Sequence, residues 1–210
     1  MKASDLFVKC LEAEGVTKIF GIPGEENADL MISLKKSKIE FVLCRHEQAA
    51  AFMADVYGRL TGKAGVCLAT LGPGVTNLMT GLADANMDRA PVVAIIGQGS
   101  TERLHKESHQ IMDSISMVAP ISKWAQTILS AKNVTEVVRK AFKVAETEKP
   151  GVTVIELPED VAKEEVNENP IKPSLIRRPA ADYRAVNEAI ELIISAKNPI
   201  ILAGNLSLIH

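Results

Sequence analysis

The chain has 210 residues, of which 47% are hydrophobic and 24% charged, and its formal net charge is -2. Those values exclude a disordered polymer and give no electrostatic case for nucleic acid or an anionic membrane surface as a partner. Charges at Lys2, Asp5 and Lys9 interrupt the start before a signal core could form, and the longest apolar runs are strand-length. Neither secretion nor a membrane span is expected, which leaves the cytoplasm as the expected location.

From there, helical and strand patterns alternate with short links, the rhythm of a parallel sheet covered by helices. Ser4 is placed to cap a helix over 4–14 that stops at Gly15; a strand over 18–21, the turn Ile22-Pro23-Gly24 and a helix over 26–36 follow. The run Phe41-Val42-Leu43-Cys44 reads as a buried strand, and the Ala-rich stretch from Glu47 as a helix covered on most sides and ended by Gly62. A strand over 65–70 leads through Leu71-Gly72-Pro73-Gly74 into a helix over 76–87. A strand over 91–96 comes next, and two more near 121–127 and 152–157 bracket a helix over 134–148.

The expected fold is α/β, a six-stranded parallel sheet with helices on both faces, occupying 1–161. Residues 162–181 are charged and carry Pro170, Pro173 and Pro179, which suits a linker. A helix over 183–196 and a strand over 199–203 read as the start of a second α/β domain in 182–210. A lone helix and strand cannot bury their apolar faces, so that domain is expected to be truncated here.

Glu47 follows a strand's carboxyl end, where open parallel sheets place their ligand crevice, so it is a candidate ligand-facing acid that apolar neighbours desolvate. It equally suits a carboxylate that merely favours a helix N-terminus. The turns Gly21-Ile22-Pro23-Gly24 and Gly72-Pro73-Gly74-Val75-Thr76-Asn77 lack the spacing of a P-loop or a dinucleotide fingerprint. What they offer is close approach of backbone to a ring, with Thr70, Thr76 and Asn77 as polar groups nearby.

His105 and His109 stand four apart, but the residue after His105 is Lys106 and no metal site is assigned. His46 reads as structural, Trp124 as core or interface, and Glu159-Asp160 as the start of a solvated segment. Cys10, Cys44 and Cys67 form no close-spaced pair and read as buried free thiols.

The ordered set Gly21-Ile22-Pro23-Gly24, Arg45-His46-Glu47, Leu71-Gly72-Pro73-Gly74-Val75-Thr76-Asn77-Leu78 and His109-Gln110-Ile111-Met112-Asp113 resembles the thiamine-diphosphate enzymes. Within them it is most similar to the catalytic (large) subunit of acetolactate synthase. Residues 58–66, Pro120-Ile121-Ser122-Lys123 and Leu157-Pro158-Glu159-Asp160 agree with the same pattern.

The resemblance implies that 1–161 is a pyrimidine-binding domain. Glu47 would hydrogen-bond a ring nitrogen of the cofactor's aminopyrimidine, Gln110 would lie near the reacting centre, and Pro23, Gly24, Thr70, Pro73, Gly74 and Asn77 would border the cofactor. It further implies decarboxylation of pyruvate through a thiamine diphosphate ylide and condensation with a second 2-keto acid, a carboligase or transferase step of branched-chain amino acid biosynthesis or an acetoin pathway.

Magnesium would be held by a domain absent here, since no Gly-Asp-Gly motif occurs. The partner would be a second copy, joined as a homodimer or higher oligomer through the pyrimidine-binding domain, or a separate diphosphate-binding chain. By itself the chain is expected to be inactive. Many FAD-containing members carry Arg before the Pro150-Gly151 pair, where this chain has Lys149, so FAD stays open. Other thiamine-diphosphate decarboxylases or oxidases, a non-catalytic dimerisation module and a gene fragment are the alternative readings.

Overall fold

The computed structural model describes residues 1–174 and 180–202. They fall into two compact units, one over Met1–Ser174 and one whose described residues are 180–202.

The first unit is built on six strands: β1 (Lys18–Gly21), β2 (Glu40–Leu43), β3 (Gly65–Ala69), β4 (Val92–Gln98), β5 (Trp124–Thr127) and β6 (Val152–Pro158). Their order is β2-β1-β3-β4-β6-β5, and every pairing is parallel, as the sequence reading expects. Parallel neighbours need crossovers, and seven helices supply or flank them: α1 (Ala3–Ala13), α2 (Ala28–Leu34), α3 (Glu47–Thr61), α4 (Pro73–Met87), α5 (Ser114–Val118), α6 (Val134–Glu146) and α7 (Glu159–Lys163).

Side chains alternate across the pleat, so each central strand feeds two cores. Val66, Leu68, Val93, Ile95 and Ile155 meet α1, α2, α6 and α7 through residues such as Phe7, Leu11, Leu34 and Phe142. Cys67, Ala69, Ala94, Ile96 and Val154 meet α3, α4 and α5 through Ala50, Ala54, Leu78 and Val118. The ion pair between Arg139 and Glu14, both nearly buried, ties α6 to the end of α1.

Several local expectations differ. Helix α1 begins at Ala3 with Lys2 in the cap position and no side-chain cap. Ser4 is the second residue of the helix, buried, and its Oγ accepts a hydrogen bond from Ser33 Oγ at 3.0 Å. Strand β2 is not buried: it is an outer strand of the sheet, and Leu43 is 68% exposed. Helix α3 is covered on one face only; Ala50, Ala51, Ala54 and Asp55 are buried while Met53, Val56 and Leu60 face outward. Helix α4 begins three residues earlier than expected because Pro73 fits the first helical position, where no N–H is needed.

The stretch expected to open a linker is folded as far as Val166. Ala162 and Val166 are buried, and Val166 N donates to Met1 O at 2.9 Å.

In the second unit, α8 (Tyr183–Ser195) is capped by Asp182, which accepts from Arg184 N at 3.2 Å. The strand expected over 199–203 is not formed across its described residues 199–202, which find no partner strand among the described residues of that unit; Ala203 lies outside them. The tail 206–210 also lies outside. No helix among the described residues is long and apolar enough to cross a membrane.

Candidate functional site

Strand β1 pairs with β2 on one side and β3 on the other. The strand order therefore reverses direction between β1 and β3, and open α/β sheets form their ligand crevice at such a reversal, outside the carboxyl ends. Three segments arrive there: the turn after β1, the turn after β3, and the start of α3 after β2.

Glu47 is the first residue of α3. Ahead of it His46 is extended (φ -153°, ψ 140°), and its Nδ1 accepts the Gln48 N–H at 3.2 Å. The imidazole is thus engaged in starting the helix, in line with the structural role read for it. Glu47 itself is half-buried, so its desolvation is partial. Across from it on α4, Asn77 Nδ2 donates to Glu47 Oε2 at 2.9 Å. The other oxygen, Oε1, lies 3.7 Å from the point where a Cβ on Gly74 would sit. One oxygen is held by an amide while the second is directed toward bare backbone.

The two turns have distinct requirements. Gly72 adopts φ 54°, a conformation L side chains rarely take, and reverses the chain so that Pro73 can open α4. At Gly24 the constraint is space: a Cβ there would come within 2.5 Å of Thr70 Cβ and 2.6 Å of Thr70 Oγ1. The Gly24 N–H donates to Asn27 Oδ1 at 2.8 Å, which fixes the shape of the turn. Pro23 and Pro73 lie at the exposed surface of the two turns. Gln110 also arrives at this edge. It has φ 56°, and its carbonyl oxygen would lie 2.6 Å from a Cβ on Gly72.

Short contacts therefore link Glu47, Gly74, Thr70, Gly24 and Asn77, and the Gln110 backbone covers the Gly72 turn. Thr76 does not join them; its Oγ1 donates to Pro73 O at 3.0 Å inside its own turn. His105 and His109 are exposed in an irregular segment rather than on one helix face. No group of three or more His, Cys, Asp or Glu that could hold a metal occurs among the described residues. Glu159 and Asp160, expected to open a solvated segment, start α7 and tie down the neighbouring turn. Asp160 accepts from Thr101 N–H and Oγ1, and Glu159 pairs with Arg103 and with Lys163.

Two features escaped sequence reasoning. Glu26 Oε2 accepts from Thr70 Oγ1 at 2.7 Å, bringing a second carboxylate to the same edge; its signal was an acid two residues past a strand-end Pro-Gly. Glu156 is a buried acid in β6 joined to the equally buried Gln98 at 3.0 Å. Burial pushes the Glu156 carboxyl above its ordinary range, and hydrogen bonds from Thr127, Gln98 and Ser114 offset only part of that. An isolated acid in the apolar run Val152-Thr153-Val154-Ile155-Glu156-Leu157 was the available sign. The thiols are free and buried as expected, and desolvation raises Cys10 and Cys67 to about 12.

Chemically, this edge offers a carboxylate fixed by an amide, facing a glycine-lined crevice. Such a group can exchange a proton with a ring nitrogen of a flat ligand resting on the backbone.

A family model described as "Thiamine pyrophosphate enzyme, N-terminal TPP binding domain" matches residues 1–117. The catabolic acetolactate synthase of Raoultella terrigena is 42% identical over 204 residues, covering 96% of this chain and 36% of that protein. The acetolactate synthase of Bacillus subtilis (strain 168) is 40% identical over 205 residues, with 97% and 36% covered. The glyoxylate carboligase of Escherichia coli O157:H7 is 37% identical over 208 residues, with 97% and 35% covered. The chain spans roughly a third of the length of these relatives.

Proposed function

The chain belongs to the thiamine pyrophosphate enzymes as an acetolactate-synthase-like N-terminal binding domain, and from that membership we propose that it holds the aminopyrimidine of thiamine diphosphate for a carboligase acting on pyruvate. The observation that carries this reading is Glu47 at the reversal of strand order, oriented by Asn77 and directed at Gly74. A planar ring with a basic nitrogen fits that arrangement. Gly24 and Gly74 keep side chains off the crevice, and the remaining carboxylate oxygen faces it.

Bound thiamine diphosphate supplies an acidic ring carbon and an electron sink. The chain's own groups do the rest. Glu47 holds or moves a proton at the pyrimidine nitrogen, Asn77 keeps the carboxylate in register, and Thr70, Pro23 and Pro73 stiffen the walls. Gln110, seated over the Gly72 turn, stands beside the reacting centre. On this reading the pyrimidine-binding domain, expected over 1–161, runs on to Val166, the linker expected over 162–181 starts after it, and 182–210 begins a further domain.

On this reading magnesium and the diphosphate are held by a Gly-Asp-Gly segment that the 210 residues do not contain, and turnover of pyruvate requires that segment together with this one. FAD stays open on the strength of Lys149, and the unpaired buried thiols suit a reducing cytoplasm. The likeness to a glyoxylate carboligase favours one second reading, the same site serving a different 2-keto acid.

The test is turnover by the assembly that includes this chain and the diphosphate-binding part. Glu47→Gln lowers product formation from pyruvate on the order of 10²- to 10⁴-fold, the range of general acid–base catalysis, and Asn77→Ala lowers it by less. Full activity in Glu47→Gln would defeat the assignment. If the assembly condenses glyoxylate and not pyruvate, the substrate reading changes while the site stands.

A further inference from the structure

The segment that carries Gln110 is poorly held by packing. Residues 102–107 are exposed, and a cleft of about 630 Å³ lies between that segment and the edge strand β5, with Leu104, Ile111 and Met112 on one side and Gln126 and Thr127 on the other. What crosses the floor of the cleft is polar and buried. Gln98, at the end of β4, donates from Nε2 both to Glu156 Oε1 at 3.0 Å and to the carbonyl of Met112 at 3.2 Å. Its Oε1 is fixed by the Gly99 N–H at 2.9 Å, which leaves the amide one orientation. Glu156 Oε2 in turn accepts from Thr127 Oγ1 at 2.7 Å, and Ser114 Oγ donates to the Met112 carbonyl at 3.4 Å.

The carboxyl ends of β4, β5 and β6 are thus tied to one another and to Met112, whose carbonyl Ser114 also engages. Just before that anchor, Ile111 packs over Gly99 and Gln110 over Gly72, where added Cβ atoms would meet them at 2.7 Å and 2.6 Å respectively.

We propose that Gln98 and Glu156 are positioning residues: the buried clamp they form with Thr127 and Ser114 holds segment 104–113 so that Gln110 sits against the Gly72 turn of the cofactor crevice. This rests on the functional reading above for the meaning of Gln110, but the clamp itself does not. Hydrogen bonds between buried partners are costly to leave half-made, so removal of one donor frees the loop rather than being absorbed by water. The sheet beneath is held by its own ladder and by two apolar cores, and it keeps its protection.

The experiment is native-state hydrogen exchange on the full chain without cofactor, comparing Gln98→Met, Thr127→Val and Thr127→Ser with the parent. Gln98→Met and Thr127→Val raise exchange of amides in 104–113 on the order of fivefold or more, while β3 and β4 stay protected. Thr127→Ser, which keeps the hydroxyl, restores parental exchange; a methyl-packing role for Thr127 would not be rescued this way. Unchanged exchange in Gln98→Met with an intact sheet overturns the clamp. So does equal loosening of loop and sheet, which would make it ordinary core.

The second arm is turnover in the complete assembly. Gln98→Met there lowers kcat with little change in KM for the 2-keto acid. A loosened loop with unchanged kcat would show that the segment has no part in the site, and would overturn the inference. Activity lost in Glu47→Gln but kept in Gln98→Met separates failure of this inference from failure of the cofactor assignment.

Discussion

At Glu47 the decisive feature is asymmetry between its two oxygens: Asn77 fixes Oε2, and Oε1 is turned toward Gly74. Gly24 has an equally local reason to be glycine, because Thr70 occupies the space a side chain would need. Gly24→Ala therefore costs about 1–3 kcal/mol in chemical denaturation, the usual range for overpacking, and displaces the turn; a cost under about 0.5 kcal/mol would contradict the close approach. The positions of both glycine turns and of Glu47 at a helix start were legible in the sequence, because strand-end Gly-Ile-Pro-Gly and Gly-Pro-Gly and an acid at a strand-to-helix junction are local patterns. The Glu26–Thr70 and Asn77–Glu47 bonds were not, since they depend on distances between the turns after β1 and β3 and between α3 and α4 that no local spacing encodes.

Among the elements, α3 and α4 set the site's geometry, and Arg59 ties them together near their far ends. Its guanidinium forks onto Asp55 at 2.7 and 2.8 Å and reaches Asp84 at 3.0 Å and Asp88 at 2.6 Å. Asp55 is 2% exposed, so Arg59→Ala strands a buried carboxylate and costs about 2 kcal/mol of stability. Equal stability of parent and variant in urea would show the network to be dispensable. The element boundaries were readable to within a few residues where Gly62 or Pro73 marks them. The burial of β2 was misread because a four-residue apolar run looks the same in a central strand and at an edge; only the strand order, set by long-range pairing, distinguishes them.

Glu156 gives a pH prediction at the level of β4, β5 and β6. Burial and the facing Asp113 raise its carboxyl, while Thr127, Gln98 and Ser114 lower it by less. A carboxyl raised in the folded state binds its proton more tightly there than in the unfolded chain. Its stabilising share is full below the unfolded value, near pH ~4.3, and is lost as pH rises through the folded value. Parent stability thus falls relative to Glu156→Gln as pH climbs from the ordinary glutamate range toward neutrality. A difference that is flat or rises with pH would contradict the assignment.

At the largest scale, the first unit gathers Glu47, Asn77 and the two glycine turns where the strand order reverses, the edge that the proposed function assigns to the cofactor's pyrimidine. The alternating rhythm of helices and strands made the six-stranded parallel sheet legible from sequence. The strand order that makes β1 and β3 the crevice walls was not, because crossovers of similar length can pass to either side. The most direct measurement is exchange of the cofactor's reactive ring proton for deuterium, followed by NMR in the assembly that holds thiamine diphosphate. With Glu47→Gln the exchange rate falls at least about 100-fold while the cofactor remains bound; exchange as fast as in the parent, at equal occupancy, would contradict the role of Glu47 as the proton relay.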